Sequence, residues 1–224
     1  MEERTELLKE KLVTACRILL QEGLIEAQYS ISLRLDEEHM LINDNVGAAV
    51  LTKNHILVRS LHEEVTTGNV HPAIYLARKD VGAIVHAHPP YAIALSTVEE
   101  EFKPIHNYGV IFHGRIKVYE GLGQVGTKER TREIADLLGD GIAILQRGHG
   151  TITVGKGIEE ALLATIYLEE AAKIHFFAKV FGQPKYIPPE LSLEITKQVF
   201  KERSVKKAWE HYAAKVLRFP TKEP

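Results

Sequence analysis

Cysteine occurs once in the 224 residues of this chain, at Cys16. A lone thiol excludes an internal disulfide framework and any cage of cysteine ligands, so a metal held here would need nitrogen and oxygen donors. Long apolar runs are also missing. No stretch approaches the roughly 18 residues of a spanning helix, which argues against a membrane partner. The opening Met1-Glu2-Glu3-Arg4-Thr5-Glu6 is too acidic for a signal or transit peptide, and cytoplasmic location is the resulting expectation. Neither sign of charge dominates: 28 basic against 30 acidic side chains leave a formal net charge of -2. No whole-protein field therefore favours nucleic acid or an anionic membrane surface. Repeats, low-complexity tracts and a domain linker are absent as well. What is present is 45% apolar and 26% charged residues, enough for one full core, so residues 1–224 read as a single domain. Eleven histidines keep metal binding open.

Periodicity organises the chain. Leu8, Leu12, Cys16 and Leu19 recur at helical spacing between Thr5, a candidate N-cap, and Gly23, a candidate C-cap. Short apolar or alternating runs at 30–35, 40–43, 48–51 and 56–58 follow, separated by polar turns, and predict a β meander. A helix is predicted over 70–78 with Pro72 in its tolerant first turn, then a buried strand over 82–86 and a helix over 89–98. Strands near 105–112 and 115–119 lead to a helix over 127–138. The strands 142–146 and 151–154 enclose a His-Gly turn, and a long helix is predicted over 158–181. Pro188-Pro189 breaks the chain before a charged helical tail, 189–217, whose stripe Trp209, Tyr212 and Leu217 should dock it on the main body or on a neighbouring subunit. Mixed strands and helices with short early turns predict an α/β fold, a three-layer α/β/α sandwich around a mostly antiparallel or mixed sheet.

The chemistry concentrates in histidines. His86 and His88 end an apolar strand two residues apart, so both imidazoles face one side, about 6.6 Å apart along the backbone. Each ring nitrogen leaving a buried strand needs a hydrogen bond or a ligand. A carbonyl or a water can meet that need as well as a metal can, and the pair requires a third ligand. His149, between Gly148 and Gly150, is the candidate, because flanking glycines let a backbone bring an imidazole into a crowded site. Taken alone, the same residues also suit an ordinary turn with an exposed histidine.

At Val81-Gly82-Ala83-Ile84-Val85-His86-Ala87-His88-Pro89-Pro90-Tyr91 and at Gly148-His149-Gly150 the sequence resembles the class II aldolase/adducin family, over roughly residues 7–181. Gly157-Ile158-Glu159-Glu160-Ala161 matches the start of that family's long helix. The resemblance implies that His86, His88 and His149 are ligands of Zn2+ or another divalent transition metal. Three neutral imidazoles leave coordination positions open, as a catalytic site requires. In the family two adjacent substrate oxygens fill them, and the ion stabilises the enediolate left by carbon–carbon cleavage. The resemblance also implies a homotetramer with sites between subunits. Alignment on Pro104 places the family's proton-donating tyrosine, supplied from a neighbouring subunit, at Tyr108, with His106 expected on the same strand face.

The sequence departs from the family pattern in two places. The aldolases carry Ser-Ser-Glu nineteen residues before the first metal histidine, and here that count lands on Thr67. A threonine hydroxyl has no useful basicity near pH 7. Either Glu64 enters as the base from a shifted loop, another base serves, or the reaction needs none. The family's Gly-Asn-Val-Ser phosphate strand reads Tyr29-Ser30-Ile31-Ser32, and its threonine-glycine turn reads Asn45-Val46. Thr66, Thr67 and Gly68 remain candidates to receive an anion at a helix N-terminus, although Thr67 or Asn69 also suits plain capping. Arg147, two residues before His149, would project to the side of that ligand if the strand continues, and its planar fork suits a carboxylate or a phosphate. An ion pair with Asp140 is the other reading of Arg147. His71 coincides with a frequent family histidine and is a candidate to support the site from behind the ligands. The glycines Gly121, Gly123 and Gly126 follow no clear strand and are not a nucleotide loop.

The expected function is a divalent-metal lyase cleaving a carbon–carbon bond in a small anionic hydroxycarbonyl substrate such as a sugar phosphate. A metal-dependent decarboxylase of a hydroxy, keto or aromatic acid is the alternative, because loss of carbon dioxide needs no base to remove a hydroxyl proton. A non-catalytic adducin-like scaffold is the third reading, and the retained histidines argue against it.

Overall fold

Seven strands make one sheet, in the order β3-β2-β1-β4-β7-β6-β5. A computed structural model of the chain describes residues 2–62, 69–99, 101–121 and 127–218, leaving out the side chains of 217 and 218. The first helix, α1 (Glu2–Gln21), precedes the meander β1 (Ser30–Arg34), β2 (His39–Asn43) and β3 (Ile56–Ser60). Then come α2 (His71–Ala77), β4 (Ala83–Ala87), α3 (Pro90–Ser96), β5 (Ile116–Tyr119), α4 (Lys128–Leu138), β6 (Ala143–Gln146) and β7 (Gly150–Gly155). The long α5 (Ile158–Phe181) and the tail helices α6 (Pro189–Val199) and α7 (Glu202–Arg218) complete the order. Every strand pairing is antiparallel except β5 with β6, which makes the sheet mixed as the short turns and helical crossovers predict.

Period two sorts each strand between the two helical layers. Ile31 and Leu33 on β1, Ala83, Val85 and Ala87 on β4, and Ala143 and Leu145 on β6 join the core beneath α1 and α5. Ile84, Ile144, Ile152 and Val154 face the other way, into a second core with Ile74 and Tyr75 of α2 and Ile134 and Leu138 of α4. By the same alternation Ser30, Ser32 and His86 face the α2 side. The metal-site candidates therefore leave the sheet on its less thickly covered face. The tail packs on the main body: Val205 and Val216 enter the first core, with Trp209 and Tyr212 packed against it. The third member of the expected stripe, the Leu217 side chain, lies outside the described residues.

Two predicted strands take other forms. Residues 48–51 contain a 3₁₀ turn at Ala48–Val50 instead, which buries Ala48 in the first core and leaves Val50 exposed. The segment 105–112 bends through a turn into a 3₁₀ helix at Gly109–Phe112. Its four residues are all buried, against the alternation a strand would show, and a Cβ at Gly109 would sit 3.4 Å from the Cβ of Ala171 on α5. Tyr108 is thus the cap of a 3₁₀ helix, and it shares no strand face with His106.

Candidate active site

The end of β4 and the turn into β7 bring three imidazoles together. Antiparallel pairing sets His86 opposite Ile152 and Ala87 opposite Thr151, so the residues just beyond, His88 and His149, meet at the same edge. The tight turn 147–149 makes this possible: His149 N–H donates to the Gln146 carbonyl at 2.9 Å, and Gly148 adopts φ +64°, a left-handed conformation that favours glycine. Gly150 supplies the close approach. A Cβ there would lie 2.5 Å from the Ala87 carbonyl oxygen and 2.7 Å from Cδ2 of His88. The ring centroids are 4.9 Å apart for His86 and His88, and 5.2 Å from His149 to each. One nitrogen from each ring can be chosen so that all three lie within 4.8 Å of one another.

The donor set fits a divalent transition ion. Nδ1 of His86 lies 3.0 Å from the Thr151 carbonyl, which makes it the protonated nitrogen and leaves Nε2 as the free lone pair. Nδ1 of His149 is buried without a hydrogen-bond partner among the described residues. Burial, and then the neighbouring imidazoles, hold the His86 ring neutral, its pKa down to about 3. Burial also lowers His88 and His149. Neutral rings with lone pairs available are the form that binds a metal. All three are only partly buried, which leaves a side open to a small molecule.

Behind the triad stands a polar network that the spacing of residues alone does not reveal. Ser30 lies across the β1–β4 register from His86. Its hydroxyl is 2.9 Å from Nε2 of His71, whose Nδ1 is 2.6 Å from the Ser32 hydroxyl, itself 2.8 Å from the Tyr75 hydroxyl. His71 is wholly buried at the start of α2, and burial lowers its pKa to about 3. The alternation Ser30-Ile31-Ser32 was the visible signal: two hydroxyls on one face of a strand otherwise buried need a polar partner on the covering helix.

The remaining candidates divide. Tyr108 is 39% exposed, and its ring stacks on Tyr167 of α5 with centroids 4.2 Å apart and planes 3° off parallel. His106 meets it edge-on at 5.0 Å. Among the described residues no ring contact or hydrogen bond joins Tyr108 to the triad of its own chain. Arg147 does not continue β6, which ends at Gln146; it opens the turn, so the strand argument for its direction fails. Its Nε is 2.7 Å from a Glu120 carboxylate oxygen, and Glu120 replaces Asp140 as the expected ion-pair partner. Glu64, Thr66, Thr67 and Gly68 lie outside the described residues, as do Gly123 and Gly126. No helix among the described residues is long and apolar enough to cross a membrane.

Fold and triad together define a mixed-sheet α/β architecture with three histidines placed where they could hold a metal ion, and comparison with known proteins shows its family. The family described as Class II Aldolase and Adducin N-terminal domain matches residues 10–176. The chain belongs to the class II aldolase/adducin family. A decarboxylase, NovR of Streptomyces niveus, is 31% identical over 125 residues, 55% of this chain and 46% of that protein. This chain thus spans under half the length of that relative. An L-fuculose phosphate aldolase of Methanococcus maripaludis is 24% identical over 173 residues, 74% of this chain and 94% of the relative. The solved L-fuculose 1-phosphate aldolase of Glaciozyma antarctica PI12 superposes with a TM-score of 0.83, covering 99% of this chain and 93% of its own at 24% identity, a likeness of fold.

Proposed function

We propose that this protein is a divalent-metal-dependent lyase of the class II aldolase type, cleaving a carbon–carbon bond beside a carbonyl in a small anionic hydroxycarbonyl substrate such as a sugar phosphate. The observation that carries the proposal is the convergence of His86, His88 and His149, with donor atoms within 4.8 Å of one another. These residues would hold Zn2+ or another divalent transition ion. Bound there, the ion supplies a Lewis acid to the substrate carbonyl and leaves the chemistry of protons to the protein.

The protein's own groups then have defined tasks. The Thr151 carbonyl orients the His86 ring, so the ligand need not reorganise on binding. Tyr108 delivers a proton to the departing fragment in the site of a neighbouring copy. That role requires an oligomer, a homotetramer by family likeness, and accords with the position of Tyr108 on a separate patch stacked on Tyr167. Arg147 can receive the anionic end through the guanidinium edge that Glu120 leaves free, and Thr66, Thr67 and Gly68 are the alternative anion contacts. Glu64 is the candidate base.

Metal analysis of purified protein, with and without supplied zinc, tests the centre: about one ion per chain is expected, and no ion in either preparation would return the scaffold reading. Product analysis tests the reaction. Aldehyde release from hydroxycarbonyl phosphates supports aldol cleavage. Carbon dioxide release from hydroxy or keto acids supports the second reading, a decarboxylase, which Thr67 at the family's glutamate position and the likeness to NovR favour. Glu64→Gln separates them further, since aldol cleavage needs a base and decarboxylation does not.

A further inference from the structure

A cleft lies at the other end of the strands that carry the triad. There the start of β4, the end of β7 and the turn before β5 meet α6 around a cleft of about 390 Å³, within the range of small-molecule pockets. Val81, Ile142 and Val154 line its floor and the Phe200 ring one side. Three close backbone passages hold this floor. A side chain at Gly82 would collide with the Lys156 carbonyl, one at Gly141 would meet the Arg115 carbonyl at 2.8 Å, and one at Gly155 would meet the Ala161 nitrogen at 2.5 Å. His86 is three residues along β4 from Ala83, roughly 10 Å away along the strand, so the two sites are separate.

The charges around the cleft are unbalanced. Arg78 and Asp80 neutralise each other through two 2.7 Å hydrogen bonds. That leaves Arg115, Lys156, Lys197 and Lys201 against two carboxylates, Glu160, which already accepts a hydrogen bond from the Lys156 backbone at 2.9 Å, and Asp140, which acts on Arg115 from beside the cleft. Among the described residues no ion pair or hydrogen bond holds the Arg115 guanidinium or the three ammonium groups. Arg115 is fixed from behind, since its carbonyl accepts from Ile142 N–H at 2.9 Å. Partial burial lowers its pKa, while the carboxylates of Asp140, Glu160 and Asp80 act in the opposite direction. An open groove whose four cations make no ion pair or hydrogen bond among the described residues, set over an apolar floor and outnumbering the carboxylates beside them, is electrostatically arranged for an anion.

We infer that the cleft between the β4–β7 end of the sheet and α6 is a binding site for a small organic anion carrying two or more negative charges, a diphosphate or a polycarboxylate. An occupant would bridge Arg115 and Lys156 of the body to Lys197 and Lys201 of the tail, and so would fasten α6 to the sheet. The site is independent of the metal-lyase reading, because it uses none of the triad and none of the residues assigned to the reaction.

Calorimetric titration of the 224-residue chain with pyrophosphate, ADP and citrate, each at constant ionic strength, tests the inference and tells the two anion classes apart. Binding of at least one probe in the millimolar range or tighter is expected, together with slower amide exchange across 189–201. Lys197→Glu, on the solvent-facing helix, should weaken that binding at least tenfold, and Arg115→Gln by a similar factor. His149→Ala should leave it unchanged. The inference is overturned if none of the three probes binds, if Lys197→Glu binds as tightly as the parent, or if His149→Ala abolishes binding and so relocates the anion to the triad. Should Arg115→Gln fail to fold, Lys197→Glu decides alone.

Discussion

The Ser32 hydroxyl stands 2.6 Å from Nδ1 of His71, and both residues are wholly buried between the sheet and α2. The same oxygen meets the Tyr75 hydroxyl, so one small side chain satisfies two larger ones in the interior. Ser32→Ala removes about one atom of volume but strands two polar groups. The expected loss is about 1–3 kcal/mol for each group left unsatisfied. Urea denaturation should show a lower midpoint at unchanged slope, and a midpoint equal to the parent's would refute the network's structural weight.

A pH dependence follows from His71. Burial lowers its pKa from 6.5 to about 3, so in between the unfolded chain carries a proton that the folded chain refuses. The unfolded state then binds more protons, and stability must rise with pH through that window. The stabilising effect is complete above about pH 6.5 and is lost as pH falls toward 3. In the metal-free protein, His71→Leu should reduce the slope of unfolding free energy against pH by up to about 1.4 kcal/mol per pH unit. An unchanged slope between those limits would show that His71 titrates normally.

Gly150→Ala tests the cradle of the triad. The added methyl would lie 2.5 Å from the Ala87 carbonyl and 2.7 Å from the His88 ring, so β4 or the imidazole must shift. Metal ligands tolerate displacement poorly, with donor distances fixed to about 0.2 Å. The expected result is a drop in metal affinity of about tenfold or more, measured by competition with a chromophoric chelator, while far-ultraviolet circular dichroism stays as in the parent. Affinity equal to the parent's would mean that the ligands are not held by this contact.

Tyr108→Phe keeps the stack on Tyr167 and removes only the hydroxyl. If that hydroxyl supplies the proton, turnover should fall by about 10²–10⁴ with metal content unchanged. Mixed assemblies of Tyr108→Phe and His86→Ala subunits should then regain part of the activity, because some sites would draw an intact tyrosine and an intact triad from different chains. No recovery on mixing would place the tyrosine outside its neighbour's site.

The helices and most strands were legible because burial on known faces writes its period into the chain. The α5 boundaries, Ile158 and Phe181, coincide with those expected, since Gly157 and Gly182 bracket an unbroken helical run. The segments 48–51 and 105–112 were misread for the opposite reason. Their apolar residues are real, but whether a run of them becomes a strand depends on whether the chain path lays it along another strand, a property of the assembled sheet. Arg147 failed similarly, because its direction depends on where β6 stops.

His-X-His at a strand end and a histidine between two glycines are local facts, and residue types alone made them candidates for nitrogen ligation. That the three rings share one point was decided by the β4–β7 register, which places Ala87 beside Thr151 and allows Gly150 to lie against the neighbouring strand. The sequence by itself determined the chemical types, the helical and strand periods and the family. Only the tertiary structure decided which polar groups meet: Ser32 with His71, Tyr108 with Tyr167, and five cations around one cleft. The physical reason is that periodicity records which face of an element is buried, whereas register and crossover fix its distance from everything else.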